Sequence, residues 1–181
     1  MKRLFIANRG EIAVRIARSA NEMGIEAAAL IPPQDMGGPL SESLRSSLTA
    51  DSNEEAREMF LDPLRMIECA NDLGCDAVHP GYGFLSEKFE FAEAVCDAGL
   101  IWVGPPAAAI RTMGDKAMAR SIAENAEVPL ASGVCLSSDQ RTLSDEEIRT
   151  IGFPMMIKAA AGGGGRGMRH VADVSTLGIS I

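Results

Sequence analysis

The sequence lacks several features that would each assign it to a large class of proteins. No apolar run reaches about 18 residues, the length needed to cross a bilayer, so we expect no membrane association. Residues 1–9 contain only a very short apolar stretch, too short for a secretory signal, so we expect a cytoplasmic location. The net charge of −8 argues against nucleic-acid binding, because phosphates along a duplex are neutralised by clustered lysine and arginine.

Patterns typical of metal sites are scarce as well. The four cysteines, Cys69, Cys75, Cys96 and Cys135, form no CxxC pair, and the histidines are limited to His79 and His170. These spacings do not indicate zinc. We predict reduced, mostly buried thiols and no metal ligand in this chain.

The hydrophobic content of 46% over 181 residues is enough for one medium domain, or for one domain and part of another. Through residue 103, buried-strand segments alternate with helical segments, which predicts an α/β fold with a parallel, doubly wound sheet. The predicted strands are 3–8, 26–31, 76–79 and 100–103. Helices are predicted at 10–24, 54–73 and 86–99. Ile12, Ile16 and Met23 lie on the apolar stripe of the first, a break before Pro63 is an alternative for the second, and Ser86 caps the third. Residues 40–53 are polar and give no clear assignment.

The character of the chain changes after Pro105. Helices are predicted at 107–113, 116–125 and 144–151, followed by a strand at 153–158 and a returning strand at 168–171. We therefore place a domain boundary near residue 112, with one domain at 1–112 and a second beginning at 113.

A glycine run separates these last two strands, since five of the six residues from Gly162 to Gly167 are glycine. Such a run can be a flexible linker, but here an apolar strand precedes it and Met168-Arg-His-Val171 follows it, which favours a structured hairpin. It matches neither the Walker pattern nor the dinucleotide fingerprint. A flap whose backbone N–H groups cradle phosphates is the better interpretation. Lys158 and Arg166 bracket the run with positive charge, and Lys116, in Met113-Gly-Asp-Lys116, could add a second lysine for a polyphosphate.

Two further segments follow strands at the carboxyl edge of the predicted sheet, where open parallel sheets bind ligands. His79-Pro-Gly-Tyr-Gly-Phe-Leu-Ser86 is either a tight turn or part of a binding site. Asn8-Arg-Gly-Glu11 has too few glycines for a pyrophosphate turn. Along the helix after it, Glu11, Arg15, Arg18 and Glu22 follow 4-3-4 spacing, which indicates a solvated face or, as the less common alternative, an interface.

Taken together and in this order, five segments resemble the N-terminal part of the biotin carboxylase family, the ATP-grasp component of biotin-dependent carboxylases. They are Ile6-Ala-Asn-Arg-Gly-Glu-Ile-Ala13, His79-Pro-Gly-Tyr-Gly-Phe-Leu-Ser86, Val103-Gly-Pro105, Met113-Gly-Asp-Lys116 and Ile157-Lys-Ala-Ala-Ala-Gly-Gly-Gly-Gly-Arg-Gly-Met-Arg169. The likeness spans almost the whole chain and is weakest from Pro32 to Arg57. There the family's usual Ala-Asp-Arg-Asp loop is replaced by Pro33-Gln-Asp-Met-Gly-Gly-Pro39.

The resemblance implies a Rossmann-like pre-ATP-grasp domain followed by the beginning of an ATP-grasp domain. It implies that ATP and bicarbonate form carboxyphosphate and that CO2 passes to biotin on a carrier protein, for use by a carboxyltransferase component. The implied ATP-binding residues are Lys116, Lys158, Gly162, Gly163, Gly164, Gly165, Arg166, Gly167 and Met168. Tyr82 and Gly83 would border the biotin and bicarbonate pocket, and Arg15, Arg18 and Glu22 match a homodimer interface.

Much of the family's machinery normally lies downstream of this region. The absent parts are the magnesium-binding carboxylates, the catalytic arginine and glutamate, and the adenine-clamping segment, so no catalytic residue is assigned here. We therefore expect this chain alone to be inactive. The alternatives are a carbamoyl-phosphate-synthase-like ATP-grasp ligase, which would lack the His79 to Ser86 motif, and a non-catalytic dimerisation module. The sequence does not identify the final carboxyl acceptor.

Overall fold

A computed structural model describes residues 1–136, 142–158 and 167–177 of the chain. They belong to two compact units, Met1–Arg111 and Thr112–Ile181. Within the described ranges, no helix combines the length and the apolar character that a membrane span requires.

The first unit is a three-layer α/β structure around a parallel sheet of five strands, in the order β3-β2-β1-β4-β5. The predicted fold class, a parallel doubly wound sheet, is confirmed. The strands are β1 (Arg3–Ile6), β2 (Glu26–Ile31), β3 (Ser46–Thr49), β4 (Ala77–His79) and β5 (Ile101–Trp102). The helices are α1 (Gly10–Glu22), α2 (Pro39–Ser43), α3 (Asn53–Met59), α4 (Pro63–Asp72), α5 (Phe89–Asp97) and α6 (Ala107–Gly114). The last residues of α6 belong to the second unit, and a short 3-10 helix covers Pro33–Asp35.

Side chains that alternate along β1 supply both faces of the sheet. Leu4 and Ile6 pack in the core formed with α1, whereas Phe5 packs in the core that includes Phe60 of the α3–α4 region and Phe91 of α5. Both faces are covered by helices, which is why β1 and β2 consist almost entirely of buried residues.

Helix α1 approaches the sheet through alanine rather than through large side chains. Ala13, Ala17 and Ala20 are its buried residues, and they pack with the alanines of β2 and β4. The prediction that Met23 belongs to this stripe is wrong, because Met23 is 72% exposed. The small side chains allow close contact between helix and sheet, so the larger Ile12 and Ile16 lie only at the flanks.

Three local predictions needed correction or completion. The helix predicted at 54–73 is two helices, because Asp62 caps α4 with hydrogen bonds from the Leu64 and Arg65 amides and Pro63 cannot continue α3. Ser86 does not cap α5: its N–H donates to the Gly83 carbonyl at 2.9 Å, so it closes a turn and the helix begins three residues later. The unassigned polar tract forms α2 and the edge strand β3.

The second unit contains α7 (Lys116–Asn125), α8 (Asp145–Ile151), β6 (Met155–Lys158), β7 (Met168–Val171) and α9 (Val174–Leu177). Strands β6 and β7 are antiparallel neighbours, and Lys158 is paired with Met168. The predicted order of strand, glycine run and returning strand is therefore confirmed. Residues 162–166 of the run lie outside the described residues.

Candidate functional site

The ends of β1 and β4 meet at the carboxyl edge of the sheet. Ile6 is in register with His79, and the Ala7 N–H continues the pairing by donating to the His79 carbonyl at 2.9 Å. The segments after these strands are therefore held side by side, as parallel pairing requires. This brings together the two sequence motifs that begin at Asn8 and at His79.

Asn8 is the residue that joins the two segments. Its side chain is completely buried, and Nδ2 donates to the Pro80 carbonyl at 2.8 Å and to the Tyr82 carbonyl at 2.9 Å. Its Oδ1 accepts the Arg9 N–H at 2.9 Å. The carboxamide thus uses both donor hydrogens and its acceptor, which satisfies three backbone groups near the sheet edge.

Gly81 lies between the two carbonyls that Asn8 binds, and its geometry admits no side chain. Its φ is +66°, in the left-handed region that favours glycine. A Cβ there would lie 2.7 Å from Asn8 Nδ2 and 2.8 Å from Ile12 Cγ2. The close approach of this backbone to Asn8 and α1 therefore depends on glycine.

His79 holds the same turn from the other side. Its Nδ1 accepts the Gly81 N–H at 3.0 Å. An accepting ring nitrogen carries no proton, so this contact selects the neutral imidazole with its proton on Nε2. Burial also lowers the pKa of His79, which favours the same neutral form.

Tyr82 projects from the turn into solvent, with 62% of its surface exposed. Its hydroxyl donates to Glu11 Oε1 at 3.0 Å, and this hydrogen bond raises the pKa of the phenol. Glu11 lies in the first turn of α1, where the helix dipole stabilises a carboxylate. Gly83 is exposed as well, with φ +72°, and a Cβ added there would meet no atom within 4 Å.

The rest of the turn is held by packing. Phe84 has a φ of +44°, unusual for a bulky residue, and its ring stacks on that of Phe60 with 5.3 Å between centroids. Leu85 is buried in the core below. The turn therefore presents an exposed phenol and an exposed glycine from a fixed base.

Arg9 connects this edge to the segment that departs from the family pattern. Its guanidinium donates from Nε and Nη2 to the two carboxylate oxygens of Asp35, both at 3.1 Å. The planar fork matches a carboxylate in this bidentate geometry. Nothing in the sequence near either residue indicates this pairing, because 26 residues separate them.

The charged face of α1 lies beside this contact. Arg15, Arg18 and Glu22 are exposed, and Arg15 donates to the Ser19 hydroxyl one helical turn later. Glu11, Arg15 and Arg18 line one side of an open groove of about 610 Å³, whose other side includes Asp35 and Leu40.

The predicted phosphate-binding residues lie in the second unit. Lys116 is exposed in the first turn of α7, where Asp115 caps the helix by accepting the Ala117 and Met118 N–H groups at 2.9 and 3.0 Å. Lys158 is exposed at the end of β6, directly opposite Met168, which is 44% exposed. Gly167, the last residue of the run, has a φ of +73°.

The cysteines follow the prediction only in part. Cys69 and Cys75 are buried, and burial raises the pKa of each thiol to about 11, whereas Cys96 and Cys135 are exposed. Within the described part of the chain, no group of three or more His, Cys, Asp or Glu side chains is arranged to hold a metal ion.

Comparisons with known proteins agree with the resemblance. Residues 1–110 match the family model described as "Biotin carboxylase, N-terminal domain", and residues 115–180 match "Carbamoyl-phosphate synthase L chain, ATP binding domain". The chain is 42% identical to mitochondrial pyruvate carboxylase from Rattus norvegicus over 98% of its own length and 15% of that protein. It is 41% identical to the biotin-dependent acyl-coenzyme A carboxylase alpha3 subunit from Mycobacterium leprae, over 97% of its length and 30% of that protein.

Solved structures give the same result. Biotin carboxylase from Campylobacter jejuni superposes with a TM-score of 0.81 and 35% identity, over 99% of this chain and 40% of that one. A second structure is the biotin carboxylase domain dimer of Hydrogenobacter thermophilus 2-oxoglutarate carboxylase, in complex with MgADP, ADP and bicarbonate. It superposes with a TM-score of 0.80 and 33% identity, over 97% of this chain and 38% of that one. Through its first 110 residues, the chain belongs to the biotin carboxylase family.

Proposed function

We propose that this chain is the N-terminal part of an ATP-dependent biotin carboxylase. In the proposed reaction, ATP activates bicarbonate as carboxyphosphate, and CO2 then passes to N1′ of biotin on a carrier protein. The observation that carries the proposal is the turn from His79 to Ser86, held against Asn8 at the carboxyl edge of a sheet whose residues match the biotin carboxylase family.

The proposed ATP-binding residues belong to a second domain that we take to begin at residue 113, after a first domain at 1–112. Lys116 and Lys158 would contact ATP phosphates, and Gly162 to Gly167 with Met168 would form a lid over them. The exposure of both lysines and the pairing of Lys158 with Met168 support these roles. In the bound state, Mg²⁺ would neutralise phosphate charge, and we propose that its carboxylate ligands lie outside this chain.

Tyr82 and Gly83 are the residues we propose for the border of the biotin and bicarbonate pocket. The exposed phenol offers an apolar face and a hydroxyl, and Gly83 leaves its backbone open to close approach. Neither residue moves a proton in the proposal; both orient the ligands for transfer. Tyr82 is suited to this because Glu11 fixes the direction of its hydroxyl.

The proposed partners are a biotin carboxyl carrier protein or domain, a carboxyltransferase component, and a second copy of the chain. Arg15, Arg18 and Glu22 would form the homodimer face, which their exposure on one side of α1 supports. Free thiols at Cys69 and Cys75 fit a reducing compartment, and we propose the cytoplasm, although some relatives are named as mitochondrial.

A second candidate function follows from the match of residues 115–180 to the carbamoyl-phosphate synthase ATP-binding domain. An enzyme of that kind would also activate bicarbonate with ATP, but ammonia, and not N1′ of biotin, would be the acceptor. The match of residues 1–110 favours biotin over this alternative.

The test compares variants in the intact carboxylase that contains this chain. Lys158→Ala should raise the KM for ATP strongly, and Lys2→Ala, a surface lysine beside the amino end of β1, is the matched control and should leave it unchanged. An unaltered KM for ATP in Lys158→Ala would exclude the proposed contact of Lys158 with the ATP phosphates. The 181-residue chain alone should show weak or no binding of MgATP by calorimetry.

A further inference from the structure

The turn that carries Tyr82 and Gly83 is attached to the sheet edge by very few polar contacts. On one side, the Gly81 N–H donates to His79 Nδ1. On the other, Asn8 Nδ2 donates to the carbonyls of Pro80 and Tyr82, the residues that flank Gly81. The orientation of Tyr82 and Gly83 toward solvent therefore depends on the Asn8 carboxamide.

Asn8 cannot touch a ligand itself, because its side chain has no exposed surface. Among residues 1–136, 142–158 and 167–177, Asn8 is the only polar or charged residue that is buried. A buried polar side chain is costly unless all its groups are paired, and each polar atom of Asn8 is paired with backbone. Its position is thus fixed by the two segments that it joins.

The geometry points to Asn8 as a positioning residue for Tyr82 and Gly83, an inference that rests on the proposed role of these two residues at the biotin and bicarbonate pocket. By binding the Tyr82 carbonyl, Asn8 sets the backbone orientation of Tyr82 and so keeps its hydroxyl within reach of Glu11. Threonine has a similar volume and no charge but a single donor hydrogen, and alanine leaves the Pro80 carbonyl unpaired in a buried position.

The composition of the chain offers a direct reporter of this positioning. Tyr82 is the sole tyrosine, so the near-ultraviolet absorbance of phenolate reports its ionisation alone. The hydrogen bond to Glu11 raises the pKa of Tyr82, and any displacement of the turn that lengthens this bond should lower that pKa toward its ordinary value.

The experiment titrates Tyr82 in Asn8→Ala and in Asn8→Thr, which has a similar volume and adds no charge, with circular dichroism recorded at each pH to confirm folding. Both variants should show a Tyr82 pKa below that of the unchanged chain, as should Glu11→Ala, which removes the acceptor directly. Val95→Ala, a truncation in the buried core of α5, is the control for stability loss alone and should leave the Tyr82 pKa unchanged. A folded Asn8 variant that titrates like the unchanged chain would overturn the inference.

A second measurement separates this inference from the proposed function. In the intact carboxylase, Asn8→Ala should raise the KM for free biotin on the order of 10-fold, equivalent to about 1.4 kcal/mol, with the KM for ATP unchanged. Equal changes in both constants would contradict the inference. If the unchanged enzyme shows no biotin-dependent activity, the proposed function fails, whereas the Tyr82 titration still decides the role of Asn8.

Discussion

Replacing Gly81 by alanine should destabilise the first unit considerably more than the same change at Gly83. Both glycines have positive φ, +66° and +72°, so each alanine should cost roughly 1–2 kcal/mol for its left-handed backbone. At Gly81 the new Cβ would also lie 2.7 Å from Asn8 Nδ2 and 2.8 Å from Ile12 Cγ2, whereas at Gly83 it would meet nothing within 4 Å. Overpacking of this kind costs about 1–3 kcal/mol, which is the expected difference between the two variants.

The assay is urea unfolding followed by the fluorescence of Trp102. Trp102 is the sole tryptophan and lies in β5, within the first unit, so its signal reports the unfolding of that unit. Gly83→Ala is the matched control, since it carries the same backbone cost in the same turn. The Gly81→Ala midpoint should lie clearly below that of Gly83→Ala, with similar slopes.

Equal midpoints for the two variants would refute the reasoning. That result would mean that Asn8 and Ile12 move aside at little cost and do not form a fixed surface beneath the turn. A double variant, Gly81→Ala with Asn8→Ala, provides a further check, because removing the Asn8 side chain should recover part of the clash cost.

Three further predictions follow from other parts of the chain. Burial lowers the pKa of His79 from 6.5, so the His79 imidazole binds a proton more tightly in the unfolded chain than in the folded chain. The contribution of His79 to stability should therefore be full above pH 6.5 and be lost as the pH falls through the lower pKa of the folded state. Urea midpoints that do not change across this pH range would contradict the prediction. Burial raises the pKa of Cys69 and Cys75 to about 11, so a thiol reagent should modify Cys69 and Cys75 only on unfolding, whereas the exposed Cys96 and Cys135 should react rapidly at neutral pH. Equal modification rates for all four thiols would contradict this prediction. Arg9→Lys removes the bidentate contact with Asp35 and should increase proteolytic cleavage between residues 33 and 39, whereas Arg57→Lys, on an exposed helix face, should not; identical digestion patterns would exclude this role of Arg9.

The parallel sheet was predictable because its signals are local. Buried strands alternate with helices of definite length, and parallel pairing then brings all strand ends to one edge. The start of α7 was predicted at the correct residue, because Asp115 is a strong capping residue directly before it. The meeting of the Asn8 and His79 motifs at the carboxyl edge also follows from this topology.

The structural features that the sequence did not indicate depend on contacts between distant residues. Strand β3 is polar and alternates between half-buried and exposed residues, so only its pairing with β2 identifies it. Ser86 is a residue type that often caps helices, but its N–H donates to the Gly83 carbonyl and so belongs to a turn that precedes α5. The roles of Asn8 and of the Arg9–Asp35 pair arise from segments 72 and 26 residues apart, respectively, and no local pattern encodes them.

We propose that this chain belongs to an enzyme whose carboxyl acceptor is biotin. The most direct test incubates the intact enzyme with labelled bicarbonate, MgATP and free biotin, and measures label in carboxybiotin. If biotin is the acceptor, labelled carboxybiotin should form, its formation should require ATP, and Lys158→Ala should reduce it greatly. ATP hydrolysis with no labelled carboxybiotin, and with label in carbamoyl phosphate when ammonia is supplied, would contradict it.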